Sequence, residues 1–130
     1  MVCGDPTSTI ERVLVTVDVT QDVVSVSVDK GVYLILAHHP LLLAGVHSVA
    51  ATTAHGRIIH DLIKHDIALY TAHTNADVAS PGVSDALALA LGVEISGPLV
   101  PPPDAPAGVC LCRWGRVDEH VSLAEILQIV

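Results

Sequence analysis

The sequence predicts an α/β fold, a mainly parallel sheet flanked by helices, on three observations. Short apolar runs rich in Val, Ile and Leu alternate along the chain with segments that carry helix caps or helical spacing. The run at residues 32–37 (VYLILA) is almost uninterrupted in apolar character, as expected of a central parallel strand buried on both faces. Helix-length segments separate the first three such runs, which implies at least two right-handed crossover units.

Residues 12–19 (RVLVTVDV) read as the first strand. At residues 21–29 two signals conflict. Thr20 is a helix cap, yet Val24, Val26 and Val28 alternate with serines at period two, and valine is a poor helix former. A strand here would crowd three consecutive strands too closely, so a helix is expected. Residues 32–37 form the second strand. Residues 56–66 then put Ile58, Ile59, Leu62 and Ile63 on one helical face. Residues 67–72 (IALYTA) form the third strand. Ser80 and Pro81 are the expected N-cap and first helical residue of a helix that Gly92 ends.

This places an α/β domain at residues 1–96. Residues 97–108 (GPLVPPPDAPAG) read as a stiff, exposed connector. Residues 109–130 read as the start of a further strand–helix segment, with a strand at 109–118 and a capping box, Ser122 and Glu125, opening the helix. That helix has only about eight residues, short of the roughly twelve at which an isolated helix becomes stable, so the segment reads as incomplete.

Composition removes whole classes of function. With 51% hydrophobic and 15% charged residues among 130, the chain is not disordered. Its formal charge of −8 excludes a nucleic-acid footprint and a polybasic membrane anchor. Phenylalanine is absent, so the core must be aliphatic. No Asp, Glu, Lys or Arg lies between Lys30 and Arg57, but His38-His39-Pro40 interrupts that stretch and argues against a membrane span. The first residues have no basic and then apolar pattern of a signal peptide. Three cysteines make no disulfide framework, and a reducing cytoplasm is the expected location. Cys110 and Cys112 read as buried thiols on one face of a strand.

Histidine carries the chemistry. His38 and His39 follow the second strand, while His73 and Asp77 follow the third. In open α/β sheets ligands bind outside the carboxyl ends of strands, so the two groups converge if their strands are neighbours. Neutral imidazoles with a carboxylate suit Zn²⁺, Mn²⁺, Fe²⁺ or Ni²⁺ and not Ca²⁺. Adjacent histidines project in different directions, which suits two ions better than one. His73 is either a ligand or a group that orients Asp77 or a bound water. Asp18, at the end of the first strand, either reaches the crevice or caps the following helix. His47, His55, His60, His65 and His120 read as solvated.

Ala37-His-His-Pro-Leu41, Ala72-His-Thr-Asn-Ala-Asp77 and Gly82-Val-Ser-Asp-Ala86, in this order, resemble the Nif-three-like family (NGG-one-interacting factor three), whose bacterial members are labelled GTP cyclohydrolase type 2 homologues. The resemblance runs from about residue 3 to about residue 121. It implies a dinuclear metal centre, ring-shaped hexamers and metal-dependent hydrolysis on an unidentified small-molecule or nucleotide substrate. It assigns His38, His39 and Asp77 as metal ligands and places His73 in the same cavity. The family pattern adds a C-terminal His and, four residues later, a bridging Glu. Here His120 is followed by Ala124 at that spacing, so the chain resembles an N-terminal portion truncated at both ends. Three donors for two ions predict weak binding of one metal at most, and little catalysis. A truncated or decayed fragment without activity is the alternative.

Overall fold

The computed structural model describes residues 1–100, 103, 104, 106 and 108–129. The chain divides into two compact units, Met1–His73 and Thr74–Val130.

In the first unit β1 (Val13–Thr16), β2 (Leu34–Ala37) and β3 (Ala68–Thr71) form a parallel sheet in that spatial order. Helix α1 (Gln21–Asp29) follows β1, and α2 (Ala54–Lys64) follows β2. The register sets Leu14, Ile35 and Leu69 side by side, and likewise Val15, Leu36 and Tyr70. Because side chains alternate along each strand, these two rows lie on opposite faces. Ile35 and Leu69 are fully buried, with Leu14 partly buried beside them, and pack into a core with Val24 of α1 and with Ile58, Ile59 and Leu62 of α2. The parallel α/β expectation therefore holds.

The conflict in α1 resolves toward helix for local reasons. The Thr20 hydroxyl accepts the Val23 amide at 3.3 Å, and Val24 and Ser27, three residues apart, are both buried. The serines that made the pattern look strand-like turn inward on the helix itself. Ser25 Oγ donates to the Gln21 carbonyl and Ser27 Oγ to the Val23 carbonyl, at 3.0 and 2.8 Å. In α2 the Thr53 hydroxyl caps Gly56 N at 3.0 Å. A Cβ on Gly56 would stand 2.0 Å from the Ala50 carbonyl oxygen, so only glycine lets the preceding loop close onto the helix. Ile63, expected on the buried face, is 61% exposed, because the face centred on Ile58, Ile59 and Leu62 turns away from it.

The N-terminal residues close one edge of the sheet. Val2 N donates to the Leu69 carbonyl at 2.8 Å, and Leu69 N donates to the Cys3 carbonyl at 3.0 Å, an antiparallel bridge along β3. Gly4 then turns with φ +112°, where a Cβ would collide with that of Ala68.

The second unit holds α3 (Thr74–Val78), α4 (Val83–Ala90), β4 (Glu94–Pro98), β5 (Arg113–Arg116) and α5 (Leu123–Ile129). Strands β4 and β5 pair antiparallel, with an irregularity between Ile95 and Gly97. Gly97 and Pro98 of the proline-rich stretch thus belong to a strand, and its residues 101, 102, 105 and 107 lie outside the described residues. Helix α4 begins later than Ser80-Pro81 suggested. Its N-cap is Gly82, whose amide donates to Asp85 Oδ2 at 3.0 Å. The Ser122–Glu125 capping box is present: Ser122 N donates to Glu125 Oε2 at 2.8 Å, and Glu125 N to Ser122 Oγ at 3.3 Å. Cys110 is buried and Cys112 exposed, and both precede β5, so they are not a pair of thiols on one strand face. Among the described residues no helix is long and apolar enough to cross a membrane.

Candidate functional site

The parallel register brings Thr16, Ala37 and Thr71 to one level at the carboxyl edge of the first unit's sheet. The residues that follow each strand are therefore neighbours. Backbone bonds continue the ladder past the strand ends: His38 N donates to the Thr16 carbonyl at 3.0 Å, His39 N to Val17 at 2.8 Å and Ala72 N to Ala37 at 2.8 Å. These bonds gather three imidazoles. The ring centroids of His38 and His39 are 5.2 Å apart, those of His38 and His73 5.3 Å, and those of His39 and His73 6.1 Å.

Two of the rings have their tautomer dictated by their partner. His38 Nδ1 lies 3.0 Å from the Ala72 carbonyl oxygen, and His39 Nδ1 lies 2.7 Å from Asp18 Oδ1. A carbonyl and a carboxylate only accept hydrogen bonds, so each Nδ1 carries the proton. In the neutral ring Nε2 then carries the lone pair, which is the state a metal-ligating histidine adopts when its other nitrogen is held. Asp18 thus reaches the crevice as the partner of His39, and it is not the helix cap, since Thr20 fills that place. Its role as the partner of His39 had one sequence signal, an Asp just past the end of a strand.

His39 and Asp18 also line a cleft of about 600 Å³ together with Thr20, Leu41, Leu43 and His55. His55 is exposed, as its sequence context predicts, and it also lines this cleft. His47, His60, His65 and His120 are exposed as expected. At the end of β3 the Thr71 hydroxyl is buried without a hydrogen-bond partner among the described residues. The carboxyl edge therefore holds one buried hydroxyl in need of a partner as well as oriented imidazoles.

Asp77 lies in the second unit, on the short helix α3. Within the first unit, His38, His39 and His73 are the sequence-predicted site residues that come together. Among the described residues, no three His, Cys, Asp or Glu side chains form a group that could hold an ion. The donor set thus fits a divalent metal in part: the rings of His38 and His39 are each held through Nδ1, and no three-donor group closes among the described residues.

Comparison with known proteins addresses the family and the fold. The profile of the family described as Duf34/NIF3 (NGG1p interacting factor 3) matches residues 1–130. A Streptomyces coelicolor protein named GTP cyclohydrolase 1 type 2 homolog is 53% identical over 107 residues, covering 82% of this chain and 38% of the relative. A Mycobacterium tuberculosis protein of the same name is 52% identical over 105 residues, covering 81% and 27%. Among solved structures, a Bacillus cereus protein related to NIF3 superposes with a TM-score of 0.71 at 42% identity, covering 76% of this chain and 27% of that one. Reduced HcgD from Methanocaldococcus jannaschii gives 0.65 at 30% identity, covering 74% and 39%. The chain thus spans about a quarter to two-fifths of the length of these relatives. The profile match over every residue, and the likeness in sequence and fold, identify the chain as a member of the Duf34/NIF3 family.

Proposed function

We propose that this chain supplies the histidine edge of a divalent-metal centre, in a cytoplasmic, metal-dependent hydrolase of the kind its relatives' name suggests. One observation carries the reading. His38 and His39 follow a central strand at its carboxyl end, and each has its Nδ1 proton committed to an acceptor, which puts the lone pair of the neutral ring on Nε2. His38, His39 and Asp77 are the ligands, with His73 lining the same edge. A bound Zn²⁺, Mn²⁺, Fe²⁺ or Ni²⁺ supplies Lewis acidity toward a hydrolysable bond. The chain's own residues do the rest. Ala72 and Asp18 hold the two imidazoles in one tautomer and rotation, and the cleft beside His39 gives a small substrate a place to sit.

The second reading is a family segment with an incomplete metal site and no turnover. It is supported by the missing three-donor group among the described residues and by the share of the relatives that the chain spans.

Calorimetric titration of the whole chain with Zn²⁺ and Mn²⁺ tests the site. Weak binding of one ion is expected, abolished in the His38→Ala, His39→Ala double variant and weakened about 10- to 100-fold by Asp18→Asn. Tight binding of two ions per chain overturns the incomplete shell, and binding indifferent to the double variant overturns the ligand assignment. Hydrolysis of nucleotides or phosphoesters that survives His38→Ala removes the metal mechanism. Metal binding without any turnover favours the second reading.

A further inference from the structure

Cys110 and Cys112 are gathered by the same neighbours in the second unit. The Cys110 thiol donates to the Val100 carbonyl at 3.0 Å, and the Cys112 carbonyl accepts the Leu99 amide at 3.2 Å, so both residues meet the segment just past β4. Between them the chain bends at Leu111. Each carbonyl of the three residues has a partner. That of Cys110 accepts from Arg113 Nη1, that of Leu111 from Ser84 Oγ at 2.9 Å, and that of Cys112 from Arg113 Nη1 at 3.4 Å as well as from Leu99. The bend is thereby fixed from three sides by contacts local to it. Residues two apart in a straight strand stand about 6.7 Å apart, at the far limit of the roughly 4.4–6.8 Å between Cα atoms that a disulfide spans. A bend at the middle residue shortens that separation.

The two thiols differ in access and in character. Cys110 is 3% exposed, whereas Cys112 is open to solvent. The Cys112 backbone hydrogen bond, foremost, then those of Val100 and Leu99 and the Arg113 charge, lower the Cys110 thiol below its ordinary range, against the opposing effect of burial. We propose that Cys110 and Cys112 form a peroxide-responsive modification site that closes to an intramolecular disulfide. The exposed Cys112 sulfur attacks a hydroperoxide: an S–O bond forms, the O–O bond breaks, and water or an alcohol leaves, giving a sulfenic acid. The Cys110 sulfur then attacks that of Cys112. The S–S bond forms, the S–O bond breaks, and the departing hydroxide takes the Cys110 proton to become water. Two thiols thereby give two electrons and two protons to the peroxide. Cys110 never meets the oxidant, so its burial is no obstacle. Disulfides in reducing compartments are transient and redox-sensing, and small thiols reverse this one. While it lasts, the Val100 carbonyl loses the thiol proton it accepts, which slackens the tie between the end of β4 and the turn into β5.

Treatment of the whole chain with one equivalent of hydrogen peroxide, followed by alkylation, trypsin and mass spectrometry, tests this. Trypsin cuts after Lys64 and Arg113, so one peptide carries Cys110 and Cys112 and leaves Cys3 on another. That peptide should lose both alkylation sites and weigh two hydrogens less than its reduced, unalkylated form. A dithiol reductant should restore it. In Cys110→Ser the sulfenic acid on Cys112 should persist and take up a 1,3-diketone probe. In Cys112→Ser, a change at an exposed position, the peptide should pass through the oxidant with Cys110 still a thiol. Amide exchange at Leu99 and Val100 should quicken in the oxidised protein and not in Cys112→Ser treated alike. A wild-type peptide that keeps two alkylatable thiols overturns the proposal. So does a wild-type Cys112 that stays as the probe adduct, a link from Cys112 to Cys3 or to another chain, or oxidation of Cys110 in Cys112→Ser. Exchange at Leu99 and Val100 that ignores the disulfide overturns the slackened tie.

Discussion

The two units are held together by different physics. Met1–His73 is organised by aliphatic burial, with Ile35, Leu62 and Leu69 fully removed from solvent between one sheet face and two helices. In Thr74–Val130 the described buried side chains reduce to Ala88 and Cys110, while Leu87, Leu89, Leu123 and Leu127 are more than half exposed. What gathers this unit is one guanidinium. Arg113 donates from Nε to Asp85 Oδ1, from Nη2 to the Ala79 carbonyl at 3.0 Å, and from Nη1 to the Cys110 carbonyl. Both units are rich in leucine, valine and alanine. An apolar composition becomes a core where strand alternation and helix period aim it at one place, and elsewhere a polar cluster has to do the joining.

The largest effect that can break this contrast is a cavity in the first unit. Leu62→Ala should cost about 2–5 kcal/mol. Trp114, the single tryptophan, lies in the second unit, so its fluorescence reports there. The denaturant midpoint seen by circular dichroism should fall more than the midpoint seen by Trp114. Equal shifts would show that the units unfold as one and that the contrast has no thermodynamic meaning. Thr53→Ala is the next smaller step, at about 1 kcal/mol for the lost cap. Faster amide exchange confined to the first turn of α2 is the expected signature.

Acid should act on the second unit, and most gently. The Arg113 hydrogen bond holds the Asp85 carboxyl below the usual carboxylate range, helped by the Gly82 amide, against the opposing effect of burial. A lowered folded value means that the carboxylate stabilises the fold fully above the ordinary Asp value of about 3.9, and that this is lost as pH falls through the lower folded value. Glu125 behaves alike, its carboxyl lowered by the Ser122 hydroxyl and amide. Stability followed by Trp114 should therefore decline on acidification below about pH 4, the region of ordinary carboxylates. Arg113→Met should remove the Asp85 part of that decline and leave the Glu125 part.

Legibility in the sequence follows the same division. The three parallel strands were readable because continuous Val, Ile and Leu runs have few alternatives in a chain this short. Helix α1 was readable against its own valine pattern, because spacing along the chain outweighs propensity. The histidine pair was readable because strand ends in a parallel sheet share one edge. Strand β4 was not, because Glu94-Ile-Ser-Gly-Pro98 carries a glycine and a proline, which strands ordinarily exclude. Arg113 gave no signal, since a lone arginine looks the same whether solvated or gathering five carbonyl and carboxylate oxygens. Gly82 is illegible as a cap beside Ser80, because a capping glycine shows no side chain to recognise. Of the two roles Asp18 offers on sequence, it takes the one in the crevice, where it holds His39, a pairing that only the position of His39 could reveal.

The short strap of Val2 and Cys3 along β3 couples distant parts of the first unit. Leu69 is held by this strap on one side and by Ile35 of β2 on the other. A side chain at Gly4 would meet Ala68 and push the strap away from the strand that leads to His73. A change at the fourth residue thereby reaches the histidine edge through the backbone, without touching an imidazole.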